Sequence, residues 1–452
     1  MSVPGTDRFL PAIDSERIDV VQDPKPNPAH SIPVWVTFVL LCALPVASFV
    51  ASQQAPIVLI LLAVLLVAAA FLQRDGKSGI GRKLAPDPVL LFWLAITGIC
   101  LGYIAASCFW SINPDDSLQR LKRLGLLLLT AFLALYAAQR LAPPPRGFLV
   151  GIVLSVFALL ALIAAEAFFG LLSKAVWGDA PDLDKFQVLN RPATYLVLLA
   201  WPAALAAHRT DHRMLSRLLI LATPAILVAS SNSAALAAAV AGLVAFAVAT
   251  LNRKAAAALF GTVIFSTVLA MPFVATNQQV MKNGLSSAVE AGAFSAAHRL
   301  AIWNFAANKI QEKPLLGWGM DTARVLPGAE RPLSETQSFS PYLQELTGVF
   351  PTLKDSPALP LHPHNVSLQI HLELGIVGAL LFCIVLTAVV FFFASGSRRE
   401  TAPYTLAWLA AWFVIVFLSI GIWQTWWWAL SAICLVQFTY FRRPWHRDTE
   451  MV

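Results

Sequence analysis

The chain carries little charge for its length. Of its 452 residues only 13% are Asp, Glu, Lys or Arg, while 58% are hydrophobic. A soluble globular domain carries about 25% charged residues. A water-soluble enzyme of this size must still cover its surface with polar groups. This composition excludes one and places lipid against much of the surface. Cysteine is scarce as well: Cys42, Cys100, Cys108, Cys383 and Cys434 all lie in or beside apolar runs, and none forms a CxxC pair. That leaves no disulfide framework and no thiolate metal cluster. A phosphate-binding glycine loop, HExxH and GxSxG are all missing. The first thirty residues lack the apolar core of a cleavable signal peptide; with Asp14, Glu16, Asp19 and Asp23 they read as a disordered cytoplasmic tail over 1–32. The first apolar run then serves as the targeting signal.

What is abundant is apolar sequence in blocks. A helix needs about 20 apolar residues to cross a bilayer. Runs near that length lie at 33–52, 55–72, 89–108, 124–139, 147–172, 192–207, 218–231, 233–250, 255–275, 367–395, 402–421 and 423–441. The expected fold is an all-α polytopic membrane protein of about twelve spans, nine within 33–275 and three within 367–441. A large loop, 276–366, separates the two groups, and a short tail follows at 442–452. With the N-terminus inside, 19 of the 32 Lys and Arg fall in cytoplasmic segments, 6 in short outer loops and 7 in the long loop. This is the positive-inside distribution, and it puts both termini in the cytoplasm. No nucleic-acid partner is expected of the net charge of +7.

The long loop is the one sizeable soluble piece. Over 295–312, Leu300, Trp303, Ala307 and Ile310 recur at helical spacing, with Asn304, Asn308, Gln311 and Glu312 mostly on other faces. The pattern predicts an amphipathic helix near the membrane surface. Pro314 ends it, and PLLGWG (314–319) reads as a turn. Residues 327–361 are rich in Pro and Ser and read as irregular loop. HPHN (362–365) closes the loop, with Asn365 as a good N-cap for the next span.

Candidate functional groups cluster on the outer side. His298, His362, His364 and His371 all lie in or just after the long loop. The positive end of a helix disfavours imidazolium, so His364, just before the N-cap, tends to stay neutral and can accept a proton. A purely structural or capping role is the alternative. The His-x-His pair invites a metal reading, but two ligands without a nearby third make no site. Arg191 stands at the outer mouth of span six, Arg120, Lys122 and Arg123 at that of span four, and Arg299 at the start of the loop helix. Several arginines at one depth suit an anionic head group, because guanidinium bonds two oxygens at once. Ordinary solvation is the other reading of each. Glu166 is the one carboxylate embedded in a span, with a functional role or snorkelling to the interface both open. Trp423 and Trp426 to Trp428 read as an aromatic belt.

Four stretches resemble the O-antigen ligase and polymerase superfamily of integral membrane glycan transferases. They are LNRPATYLVLLAWP (189–202), SSNSAALAAAVAGL (230–243), HRLAIWNFAANKIQEKPLLGWG (298–319) and HPHNVSLQIHLELGIVGALLF (362–382). The last two, with an Arg-x3-Trp helix, Pro-x2-Gly-x-Gly and a His-Asn start with Glu-x-Gly, carry the likeness most specifically. Where the family often has Ser-Arg this chain has Ser231-Asn232, so a cationic contact is either missing or supplied from elsewhere, with Arg120 and Arg123 as candidates. The resemblance implies a GT-C-like fold and a periplasmic active site in the bacterial inner membrane. It implies transfer of a glycan from undecaprenyl pyrophosphate to an acceptor hydroxyl, with inversion, without metal or other cofactor. His364 maps onto the essential histidine, and Arg191 and Arg299 onto the phosphate-binding arginines. His362, Asn365 and Trp303 are expected beside them in the substrate site.

The expected function is therefore a ligase that moves a glycan onto lipid A–core. Polymerisation of O-antigen or exopolysaccharide onto a growing chain is the alternative within the same superfamily. A transporter or flippase is a further alternative, but no internal repeat is evident, and polar residues gather outside rather than at mid-membrane.

Overall fold

The structure is a computed structural model that describes residues 28–51, 53–72, 88–141, 144–171, 174, 185–230, 232–336, 350–396 and 399–441. The N-terminal tail to residue 27, the basic segments 74–83 and 442–447, and 337–349 in the middle of the long loop lie outside the described residues.

Fourteen α-helices make up the described chain. The first nine are α1 (Pro28–Ala47), α2 (Ala55–Leu72), α3 (Pro88–Ser107), α4 (Pro114–Ala138), α5 (Arg146–Phe169), α6 (Lys185–Arg209), α7 (Arg213–Ala229), α8 (Ser233–Leu251) and α9 (Arg253–Thr276). Then come α10 (Gln278–Glu290), α11 (Phe294–Glu312), α12 (Val366–Gly396), α13 (Ala402–Leu418) and α14 (Thr425–Phe441). Each of the twelve apolar runs overlaps one of these helices over most of its length, and α10 and α11 belong to the long loop. Helices α2, α4, α5, α8, α9 and α12 are long and apolar enough to cross a bilayer by length and composition. The protein is an all-α polytopic membrane protein.

Helix ends follow local chemistry. Asn113, Asn232, Asn252 and Asn277 each cap a helix with a side-chain oxygen that accepts a backbone N–H of the first turn. Because Asn113 and Pro114 start α4 so early, Arg120, Lys122 and Arg123 ride on the helix itself, not in the loop expected before it. The same holds for Arg191, which lies within α6. The small-residue face of α8, with Ala235, Ala238, Ala239 and Gly242, is buried. It packs most extensively against α13. A Cβ at Gly242 would lie 3.2 Å from the Ala407 carbonyl and 2.5 Å from the Trp201 ring. Small side chains let membrane helices approach this closely.

Helix α12 is broken. Gly375 has φ 66° and ψ −168° inside it, which frees main-chain groups on either side. PLLGWG takes them up. Trp318 N–H donates to Leu372 O at 2.9 Å, Gly319 N–H to Glu373 O at 2.8 Å, and Ile376 N–H to Pro314 O at 2.9 Å. The approach is too close for side chains: a Cβ on Gly375 would meet Leu315 O at 2.1 Å, and one on Gly317 would meet the Glu373 main chain at 2.4 Å. The two glycine motifs of the sequence are thus two sides of one contact. PLLGWG is a turn, as its composition predicts, but its main function is to repair the break in α12.

The loop base has its own core. Ile302, Ala306, Ala307 and Ile310 of α11 pack with Met271 and Ala275 of α9, Trp318 and Leu326 of the loop, and Leu368 and Leu372 of α12. The buried face of α11 is therefore turned from the one expected: Leu300 and Trp303 are half-buried, while Asn304 is buried and donates to Ala275 O at 2.9 Å. Helix α11 is wedged against α9, α10 and α12. It is more enclosed than an amphipathic helix lying on a membrane surface.

Candidate active site

The HPHN turn joins this loop base to α12. Asn365 caps the helix as expected: its Oδ1 accepts from Leu368 N–H at 3.0 Å. Its Nδ2 is buried with no hydrogen-bond partner among the described residues. His364 just before it adopts φ 52°, a left-handed conformation uncommon outside glycine. That turn points the His364 N–H at His362 Nδ1, 3.2 Å away, and brings the two rings to 4.2 Å between centroids.

The His364 ring is oriented from outside its own segment. Its Nδ1 lies 2.8 Å from the main-chain oxygen of Ser419, at the start of the connection between α13 and α14. A carbonyl can only accept, so Nδ1 carries the proton, and in the neutral ring Nε2 keeps its lone pair. The ring is held neutral. Burial pushes its pKa below the ordinary 6.5, the Ser419 bond raises it somewhat, and Arg299 and His298 lower it further. His362 is more extreme: burial, then His364, Arg324 and Arg299, push it down to about 3. His298 is likewise lowered by burial and by Arg299, and its Nε2 is buried with no partner among the described residues.

Arg299 and Trp303 sit one turn apart on α11. Trp303 Nε1 donates to Pro363 O at 2.9 Å, between the two histidines. The Arg-x3-Trp motif is therefore a clamp. Trp303 grips the histidine turn, and this fixes Arg299 beside it. Expected as a substrate contact, Trp303 anchors the turn that carries His364. Burial lowers the pKa of Arg299, and no carboxylate forms an ion pair with it among the described residues.

The other arginines divide. Arg191 reaches the same neighbourhood through α14. Its Cζ lies 5.8 Å from the Trp426 ring centre, Trp426 Nε1 donates to Gln424 Oε1 at 2.8 Å, and Gln424 Nε2 lies 3.2 Å from His362 Nε2. With the Gln53 amide turned to present its oxygen, the Arg191 guanidinium donates two bonds to it, at 3.1 and 3.2 Å. Arg120 is engaged elsewhere: it pairs with the buried Asp321 at 2.8 Å, and Arg324 shares that carboxylate at 3.4 Å. Arg123 is exposed and bonds Gln119 at 3.2 Å on its own helix. The expectation that Arg120 and Arg123 replace the family's missing arginine finds no such geometry. Asn232 itself caps α8 and donates to Asn190 at 3.0 Å, next to Arg191.

Two readings change with burial. Trp423, Trp426 and Trp427 are buried inside the bundle and do not form a lipid-facing belt. Glu166 is fully buried at the end of α5, so it does not snorkel. His371 is buried and bonds Ser367 O at 2.9 Å within α12, away from the histidine turn.

Comparison with known proteins bears on this arrangement. Residues 218–383 match the family model described as O-antigen ligase. A Rickettsia conorii protein named "Putative polysaccharide ligase" is 26% identical over 368 residues, covering 80% of this chain and 83% of that protein. A Rickettsia prowazekii protein of the same description is 27% identical over 334 residues, 73% and 76% of the two chains. Both likenesses support a relationship of this chain to the O-antigen ligase superfamily. Within that superfamily's matched region lie α11, PLLGWG, the histidine turn and the break in α12. Arg191, Ser419, Trp423 and Trp426 lie outside it and are brought to the site by the fold. Ser419, Gln424 and Trp423 gave no sequence signal as site residues: one acts through its main-chain oxygen, and the others sit in a run that reads as membrane anchor.

Proposed function

We propose that this protein is a polysaccharide ligase. It transfers a glycan from undecaprenyl pyrophosphate to an acceptor hydroxyl of lipid A–core, on the periplasmic side of the bacterial inner membrane. One observation carries the reading: a neutral histidine, His364, keeps an unprotonated Nε2 beside Arg299, a guanidinium without an anionic partner among the described residues. A base next to an anion holder is what this chemistry needs.

In the step proposed, the acceptor oxygen attacks the anomeric carbon from the face opposite the pyrophosphate. The new C–O bond forms as the old one breaks, and the bonding pair leaves with the pyrophosphate. His364 Nε2 takes the acceptor proton. Arg299 and Arg191 meet the charge growing on the leaving group, with bonds that strengthen as the transition state forms. The anomeric configuration inverts. Pyrophosphate is a good leaving group once its charge is met, so the step calls for no metal or other cofactor. His362, too acidic as an imidazolium to be charged near neutral pH, orients the turn without competing for the proton. The relatives named as polysaccharide ligases support ligation over polymerisation.

The test is complementation of a deletion strain. His364→Ala and Arg299→Ala should each abolish capped lipopolysaccharide and leave lipid-linked polymer to accumulate. Full rescue by both variants contradicts the proposal. Loss of polymer with single repeat units still attached selects a polymerase instead.

A further inference from the structure

The connection between α13 and α14, residues 419–424, touches both site histidines, through Ser419 O on His364 and Gln424 on His362. It has no regular structure of its own to hold it there. Indoles of α14 hold it on one side, Trp426 Nε1 donating to Gln424 Oε1 at 2.8 Å and Trp428 Nε1 to Ile422 O at 2.6 Å, and α12 holds it on the other. Gln369 Oε1 accepts from Ile422 N–H at 2.9 Å. Glu373, one turn further on and fully buried, accepts from Trp423 Nε1 and from Gln369 Nε2. The same carboxylate also takes the N–H groups of Asp321, at 3.0 Å, and Ala323, at 3.3 Å, on the loop side. One carboxylate thus ties the loop, α12 and the α13–α14 connection together, and the helix that carries it is capped by the residue after His364.

We propose that Gln369 and Glu373 are positioning residues that set the orientation and tautomer of His364 through the 419–424 connection. The proposal rests on His364 acting as the base. A buried carboxylate that satisfies four donors from three segments is a fixed point, because a donor left unpaired there would be buried without water to replace its partner. If the connection shifts, the Ser419 carbonyl leaves Nδ1, the proton divides between the two ring nitrogens, and the base is present only part of the time. The charged and titratable groups facing the histidines are Arg299 and His298 from α11, Arg324 from the loop, and each other. The connection itself offers only a carbonyl and an amide.

The experiment is a pH–rate profile of glycan transfer in proteoliposomes, per folded molecule, for wild type, Gln369→Leu and Trp423→Phe. Trp423→Phe keeps an aromatic ring while removing the indole N–H that Glu373 accepts, along with the pyrrole half of the ring, and leaves Glu373 itself in place; rates are therefore compared per folded molecule. The expected result is a plateau rate about 10-fold lower or more, within the range a general base contributes. The acid limb should also move to lower pH, because the lost Ser419 bond is the one that raises the His364 pKa. An acid limb unmoved in both variants overturns the inference, whether or not the plateau falls. A His364→Ala control that retains activity fails the functional reading itself, separately from this one.

Discussion

His364 Nδ1 stands 2.8 Å from the main-chain oxygen of Ser419, across 55 residues of sequence. That bond leaves Nε2 as the one basic atom of the ring. Because burial is the main cause of its lowered pKa, the base form persists below pH 6.5. The sign follows directly: transfer should hold steady from neutral pH down through 6.5 and fall only as pH drops through the lowered value. Arg299→Gln removes one of the lowering causes, so its residual activity should fall off at higher pH than that of wild type. A pH–rate profile on both proteins checks this.

His362 makes a second pH prediction, on stability. Its folded pKa, about 3, lies below the ordinary 6.5, so the unfolded chain binds the proton more readily. Stability should be lost as pH falls from 6.5 toward 3, as the unfolded state gains protons that the folded state refuses. His362→Gln should flatten that part of the curve. Melting temperature in detergent against pH measures it.

Trp303 is read as an anchor. Trp303→Phe leaves the Pro363 carbonyl without its donor and removes part of a ring packed on the loop-base core, and should cost about 1–3 kcal/mol. Activity should fall further than stability, because the bond holds the turn between His362 and His364. Melting temperature and transfer rate, measured on one preparation, separate the two.

Arg120 and Arg299 should behave differently. Arg120 is paired with a buried Asp321; Arg120→Ala leaves that carboxylate without its closest partner and should destabilise by about 1–3 kcal/mol, between the exposed and buried limits for an ion pair. At low temperature its folded fraction should still transfer glycan. Arg299→Ala should fold well and transfer little. Activity per folded molecule gives the contrast.

Gly375 is a position where no other residue fits. Gly375→Ala combines a positive φ with a Cβ placed 2.1 Å from Leu315 O. The mutant should lose the PLLGWG contact, and yield of monodisperse protein should drop sharply. Gly421→Ala is milder: its Cβ would meet the His362 ring at 2.8 Å. Folding should survive while transfer falls.

Much of the fold was legible because lipid imposes a simple rule. Each apolar run coincides with a helix over most of its length, and Asn365 caps α12 as its position suggests. The sites of error share a cause. Local pattern reports what a helix is made of, not which neighbour each face meets. Arg120 looked like a phosphate ligand because Asp321, 201 residues away, is invisible as its partner. Trp423 and Trp426 looked like a belt because an indole at a span end reads the same whether it meets lipid or Glu373. Trp303 was expected as a substrate contact, and its bond to the Pro363 carbonyl was not foreseen, because no sequence pattern marks a carbonyl. Ser419 escaped for the same reason.

The most direct test of His364 as the base is single-turnover transfer by purified protein. Undecaprenyl pyrophosphate-linked glycan and lipid A–core are supplied in proteoliposomes, and glycosylated acceptor is measured with wild type and with His364→Ala. The account predicts inverted product from wild type and a rate lower by about 10²-fold or more in the variant, the contribution of a positioned base, with donor binding unchanged. A His364→Ala protein that binds donor and transfers glycan at the wild-type rate would contradict it.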